Sequence, residues 1–269
     1  MAEEKKKRIV SADTGEEVEA GSRKKTGMKE AAPVGNAAGL RIGAICLWVV
    51  AIVFEVLALL VVLGKFNLHF LPTLWQLIIL LVLDLACVII GSQLWKKANH
   101  IDPASEKNKV KFWLWNNMGV IVSIVAFVPI IIVMLANKEL DKKTKVIAVV
   151  VAIIALLIGG VASYDFNPVS QEQKEAAEAA ITDDVYWSPF GHVYHTHDDC
   201  QALNRSDELT YGSVEQAIAA NRTRLCSFCA KRDEITDVVT DGSEVTEEDL
   251  ADYDDAAMLP FAKLPAFAR

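Results

Sequence analysis

Four long apolar runs, separated by short polar breaks, fill the chain from Arg41 to Ser163: residues 42–63, 71–95, 113–136 and 146–163. A helix rises about 1.5 Å per residue, so roughly 20 residues cross about 30 Å of hydrocarbon, and all four runs are long enough, the last narrowly. Helices packed inside a water-soluble domain keep a polar face, and these runs have almost none. The pattern predicts a membrane all-α domain over 41–164 with four transmembrane helices in contact with the lipid bilayer. The first run lies some 40 residues into the chain and three more follow it, which does not suit a cleaved signal peptide. Trp75, Trp95, Trp113 and Trp115 stand near run ends, where interfacial indoles are expected.

Outside the runs the composition changes abruptly. Residues 1–40 are polar and basic and predict a disordered tail. After Tyr164 comes a linker, 165–184, with a helix former in "QEQKEAAEAA". Residues 185–232 read as a compact α+β module. "VYW", a Ser-Pro-Phe-Gly turn and "HVYH" predict a β-hairpin, and Ser213 followed by Gln216 is a capping box that starts a helix over "VEQAIAAN". The remainder, 233–269, carries a net charge of −9 against −8 for the whole chain and reads as an acidic disordered tail. With four spans, both ends of the chain share one side. Eleven Lys and Arg flank the spans on that side against five on the other, so the cell membrane is expected to hold both termini in the cytoplasm.

A cytoplasmic address makes disulfides unexpected, because ordinary thiols are kept reduced there. Cys46 and Cys87 lie inside spans and read as small apolar residues. His195, Cys200, Cys226 and Cys229 form the pattern H-x4-C-x25-C-x2-C within a piece of under 50 residues, a size that needs a staple to stay folded. Two thiolates from a Cys-x2-Cys turn, one more thiolate and one imidazole make the tetrahedral set that structural Zn²⁺ prefers, with no position left for water. His197, two residues on, is the alternative imidazole, and Asp198 and Asp199 are candidates to orient it. A redox pair in "CSFC" is the rival reading, but it belongs to a larger α/β fold. His192, just past the turn, reads as a surface residue.

Together "VYWSPFGHVYHTHDDCQAL", "GSVEQAIA" and "CSFCAKR" resemble the small Cys/His modules attached to various bacterial proteins, similar in ligand spacing to the zinc-binding domain of the Ada DNA-repair protein. The resemblance covers about 48 residues of 269 and implies zinc at His195, Cys200, Cys226 and Cys229. In the repair protein all four ligands are cysteines and the leading one accepts a methyl group. His195 stands in that place here, so methyl transfer is not implied. Five basic and five acidic residues within 185–232 cancel, which argues against a nucleic-acid surface.

Two acids lie well inside the spans, Glu55 and Asp84. Both fall at about the same depth, and the short 64–70 loop makes spans one and two antiparallel neighbours. The two carboxyls are therefore expected to face each other, with no Lys or Arg at that level, and not both to be charged. A static hydrogen bond with Asn116, Asn117 or Ser123 would explain them, and so would an ion path. Two functions follow. In one, a non-enzymatic membrane anchor displays a zinc module to a protein partner. In the other, the helices move an ion, a proton or a small solute. No nucleotide-binding loop, catalytic triad or open metal site appears.

Overall fold

The computed structural model describes residues 7–18 and 35–242. The described chain divides into two compact units, residues 35–172 and residues 7–18 with 173–242.

In the first unit the helices are α1 (Ala37–Val62), α2 (Thr73–Ile101), α3 (Lys109–Ala136) and α4 (Lys142–Ser163), all long and apolar enough to cross a membrane. Each predicted run lies within its helix except at the end of the first, where Leu63 follows α1, and at the start of the second, where Leu71 and Pro72 precede α2. Sequence explains the starts. Asn36, Asn108 and Asp141 each accept a hydrogen bond from a backbone N–H three residues on, at 3.2, 3.0 and 3.1 Å, and Pro72 opens α2.

A third of each apolar window is buried between helices; the rest faces outward. Buried positions on α1 recur as Ala44, Trp48, Ala51, Glu55, Ala58 and Val62, and on α2 as Leu77, Leu81, Asp84, Val88, Gly91 and Trp95. Alternating steps of three and four residues define a coiled-coil-like seam, and α1 packs along α2 through it. Small residues bring the backbones close. A methyl group at Gly91 would stand 2.6 Å from the Trp48 indole nitrogen, so glycine is required there. On α4 the buried face is equally lean: Ala148, Ala152, Ala155, Gly159 and Ser163.

α2 is the central helix, packed against the other three. Four of its five buried polar side chains sit eight residues apart, at Gln76, Asp84, Ser92 and His100, each about 80° further round the axis, and the fifth is Asn99. They therefore meet different neighbours. Gln76 bonds to the 67–71 loop, Ser92 accepts from Ser163 at 2.9 Å, and His100 pairs with Asp165 at 2.9 Å. Trp75 and Trp113 face outward, as interfacial indoles should. Trp95 does not. It is buried between Trp48 and Trp115, with ring centroids at 5.3 and 5.8 Å, and it donates to the Trp115 carbonyl at 2.8 Å.

The second unit corrects three sequence expectations. Residues 1–40 are not uniformly without structure: β1 (Arg8–Ser11) and β2 (Glu17–Val18) form a hairpin, and α1 already begins at Ala37. Low hydrophobicity hid β1, because only Ile9 and Val10 carry its apolar burial while a neighbouring strand supplies the rest. The linker helix is present as α5 (Gln171–Ala180). The compact piece continues past residue 232, since Leu225 donates to the Val239 carbonyl at 2.9 Å and Asp241 receives the Ser227 hydroxyl. The rest of the acidic tail, 243–269, lies outside the described residues, as do 1–6 and 19–34 of the basic one.

Among the described residues six strands make two small sheets. β3 (Val185–Trp187), β4 (Val193–Tyr194), β5 (Glu208–Gly212) and β6 (Arg224–Leu225) join the N-terminal pair, with a helical turn at Gln201–Leu203 and helix α6 (Val214–Ala219) between them and α7 (Ser227–Arg232) after β6. The larger sheet has the order β2-β1-β5-β3, and β1 lies parallel to β5 with Ile9 opposite Leu209. The expected hairpin survives only as one antiparallel bridge, Tyr186 to His195, with both backbone bonds at 2.7 Å. Its two arms then part, β3 pairing with β5 and β4 with β6. Ser213 and Gln216 make the predicted capping box on α6.

Candidate metal centre

Two short elements bring the histidine and the cysteines together. β4 runs parallel to β6 with Tyr194 opposite Leu225, so the next residues in each strand, His195 and Cys226, lie side by side. The Cys226 N–H donates to the Tyr194 carbonyl at 2.9 Å and fixes that register. Cys226 caps α7, and Cys229 follows one turn later on the same end of the helix. Cys200 arrives on the 196–200 loop. That loop is tied to the far end of α7 by Asp233, which accepts from Thr196 at 2.5 Å and bonds the His197 ring at 2.7 Å.

The ligand atoms of His195, Cys200, Cys226 and Cys229 all lie within 4.8 Å of one another, and all four residues are buried. Cys200 and Cys226 sulfurs are 4.0 Å apart, and the Cys229 sulfur is 3.8 Å from His195 Nδ1. Sulfurs bound at about 2.3 Å to one tetrahedral ion stand about 3.8 Å apart, so the spacing suits a single ion. The four can hold a metal ion, and the imidazole that joins them is His195. His197 is occupied by Asp233 instead.

The thiols act strongly on one another. Hydrogen bonding with Cys226 and Cys229, then burial, pushes the Cys200 thiol well up, while bonds from Cys200 and Cys226 and the nearby His195 hold Cys229 well below the usual thiol range. Cys226 is pushed up as well, so Cys229, beside His195, is the thiol of the three that most readily carries negative charge.

Asp198 and Asp199 were candidates to orient the imidazole, and neither carboxylate is seen to bond it. Asp199 pairs with Arg232 at 3.1 Å, and Asp198 receives Lys7 on its backbone carbonyl. The carboxylate that shapes the site is Asp233, which the sequence places in the acidic tail and gives no local signal for. His192 is exposed, as expected. The hydroxyls of Tyr194 and Thr223 are buried without a hydrogen-bond partner.

Of the two acids within the apolar helices, Glu55 and Asp84 meet at the α1–α2 seam; of the three expected partners, Asn116 has its buried amide nitrogen without a hydrogen-bond partner and the other two bond elsewhere. Asn117 bonds the Trp113 carbonyl within its own helix, and Ser123 bonds Gly119 and Ser163. Their equal depth and the short 64–70 loop were the sequence signals that they share one interface.

No family model, curated protein or solved structure matches this chain. The functional reading therefore rests on the geometry above.

Proposed function

We propose that this chain is a non-enzymatic integral membrane protein whose four-helix domain anchors a zinc-stapled cytoplasmic module that binds another protein. The observation that carries the reading is the convergence of one imidazole nitrogen and three thiol sulfurs, all buried, in a unit with a small core. Zinc is favoured among metals because the donors are soft, number four and fit a tetrahedron. Four protein donors complete that shell, which favours a structural role over hydrolysis. A redox pair is disfavoured because His195 and Cys200 crowd the same two thiols, which a dithiol switch does not need.

That both ends of the chain lie on one side of the membrane has two independent supports, of which only the first names that side as the cytoplasm. One is the excess of Lys and Arg on the side of the termini. The other is β1, which precedes all four helices and pairs with β5, which follows them. Strands in one sheet share one side of a membrane, and only an even number of crossings allows that. The resemblance to bacterial Cys/His modules agrees with the metal and adds no substrate.

The test uses the full chain in lipid nanodiscs under reducing conditions. We expect about one zinc ion per chain by elemental analysis, and a specific protein partner whose binding is lost on chelation and in Cys226→Ser. A folded module that carries no metal would overturn the zinc assignment. A partner retained equally by Cys226→Ser would overturn the role of the module in binding it.

A further inference from the structure

At the middle of the α1–α2 seam Asp84 is 0% exposed and Glu55 6% exposed. Neither Asp84 carboxyl oxygen has a hydrogen-bond partner, and Glu55 Oε1 has none either. The two side chains are close enough for their charges to act on each other. Around them the seam offers Ala51, Ala58, Leu81 and Val88, none of which can donate a hydrogen bond. Cys87 is the one other titratable group beside Asp84. α3 has no titratable side chain after Lys111, and α4 has none after Lys145. Measured along the helices, Lys96 is about 18 Å from Asp84 and Arg41 about 21 Å from Glu55, and Arg41 is already paired with Asp102.

Two adjacent carboxylates in such a place would each forfeit their hydration and repel the other, with no cation or donor in compensation. The missing partner must be positive. A hard divalent cation demands six or more oxygens, and two carboxyls supply four at most. A proton needs a single oxygen. We propose that Glu55 and Asp84 form a proton-binding site inside the transmembrane bundle, holding a proton between the two carboxyls and exchanging it with water. A cavity of about 200 Å³ at the loop end of the bundle is lined by Val61, Val62, Asn67 and Glu139 and does not reach the two carboxyls. Val62 lies on the Glu55 face two turns further along α1, with Ala58 between them. This site rests on the membrane reading of the bundle and is independent of the metal reading of the module.

The experiment is infrared spectroscopy of the full-length protein in lipid bilayers, titrated with pH in H2O and D2O. The wild type is expected to show a protonated-carboxyl carbonyl band at neutral pH that shifts in D2O and fades on alkalinisation. Each of Glu55→Gln and Asp84→Asn should displace the band, and the double variant should abolish it. Because the wild-type titration stands without any variant, a folding defect in the variants does not blunt the test. Absence of the band at neutral pH, its persistence in the double variant, its failure to exchange, or its loss on adding Na⁺, K⁺ or Ca²⁺ at constant pH would each overturn the proposal. Zinc content measured on the same sample reports separately on the module.

Discussion

The bundle and the module solve opposite problems with the same chemistry. In the bundle the outward residues are apolar, including Ile42, Leu157 and Val161, while carboxyls, hydroxyls and an imidazole are turned inward. In the module Leu203, Leu209, Ile218 and Leu225 are turned inward and the charges outward. Lipid offers a helix nothing to gain by hiding a leucine, so the bundle packs through small residues and pays attention to its polar groups one at a time. Water rewards hiding leucines, but a unit this small has few to hide, and it gathers three cysteines and a histidine where a larger domain would place more core. What holds each region together is therefore different: close backbone approach in one and, on the proposed function, a shared ion in the other.

Removing the ion is the largest break in that comparison. Structural zinc contributes on the order of 10 kcal/mol to folding of small domains. Cys226→Ser or chelation is expected to melt the module, read as loss of its near-ultraviolet circular dichroism and zinc, while the bundle keeps its helical signal. His197→Ala should retain the metal and His195→Ala should lose it.

The N-terminal strand comes next. Ile9 is buried in β1, and Ile9→Ala is expected to cost about 2–4 kcal/mol. The loss should appear in hydrogen exchange along β5 and not in the bundle. A fragment that begins after the bundle lacks β1, so it should unfold at a lower temperature than the same module with the strand supplied.

Smaller still is a polar contact beyond α4. Burial works against ionising Asp165, but the hydrogen bond and charge of His100, the Asn167 N–H and Lys96 outweigh it and hold its carboxyl below the usual range. A carboxyl depressed on folding stabilises the protein above its unfolded value, about 3.9, and that stabilisation is lost as pH falls through the folded value. Asp165→Asn is expected to lower bundle stability by about 1.5–3 kcal/mol at neutral pH. The gap between variant and wild type should close in thermal melts on acidification below about pH 4.

Gly91→Ala sharpens the comparison from the packing side. Its new methyl group meets the Trp48 indole, with an expected cost of about 1–3 kcal/mol and weaker α1–α2 association. The same exchange at Gly160, where nothing lies within 4 Å, should be close to neutral.

The spans were legible because lipid demands a continuous apolar run, and no other pressure writes one of that length. The ligand set was legible because Cys-x2-Cys and H-x4-C are local patterns. What escaped the sequence is nonlocal. β1 is four residues whose reason to be a strand lies at 208–212, and Asp233 serves a loop 36 residues earlier. Trp95 turned inward because two other indoles and the Trp115 carbonyl met it there, which no single run records. The hairpin reading failed for the same reason: after one bridge each arm found a better strand elsewhere.

The pairing of β1 with β5 also bears on how the protein is made. Ile9 leaves the ribosome two hundred residues before its partner Leu209, an interval of roughly 10–40 s at ordinary elongation rates. On the membrane reading, all four helices are inserted during that time while the first strand of the sheet waits for its partner. The sheet closes only when its last strands emerge, and it closes only if the helices have crossed an even number of times. A chain that skips one crossing strands β5 on the wrong face, leaving β1 unpaired and the fault visible to a protease.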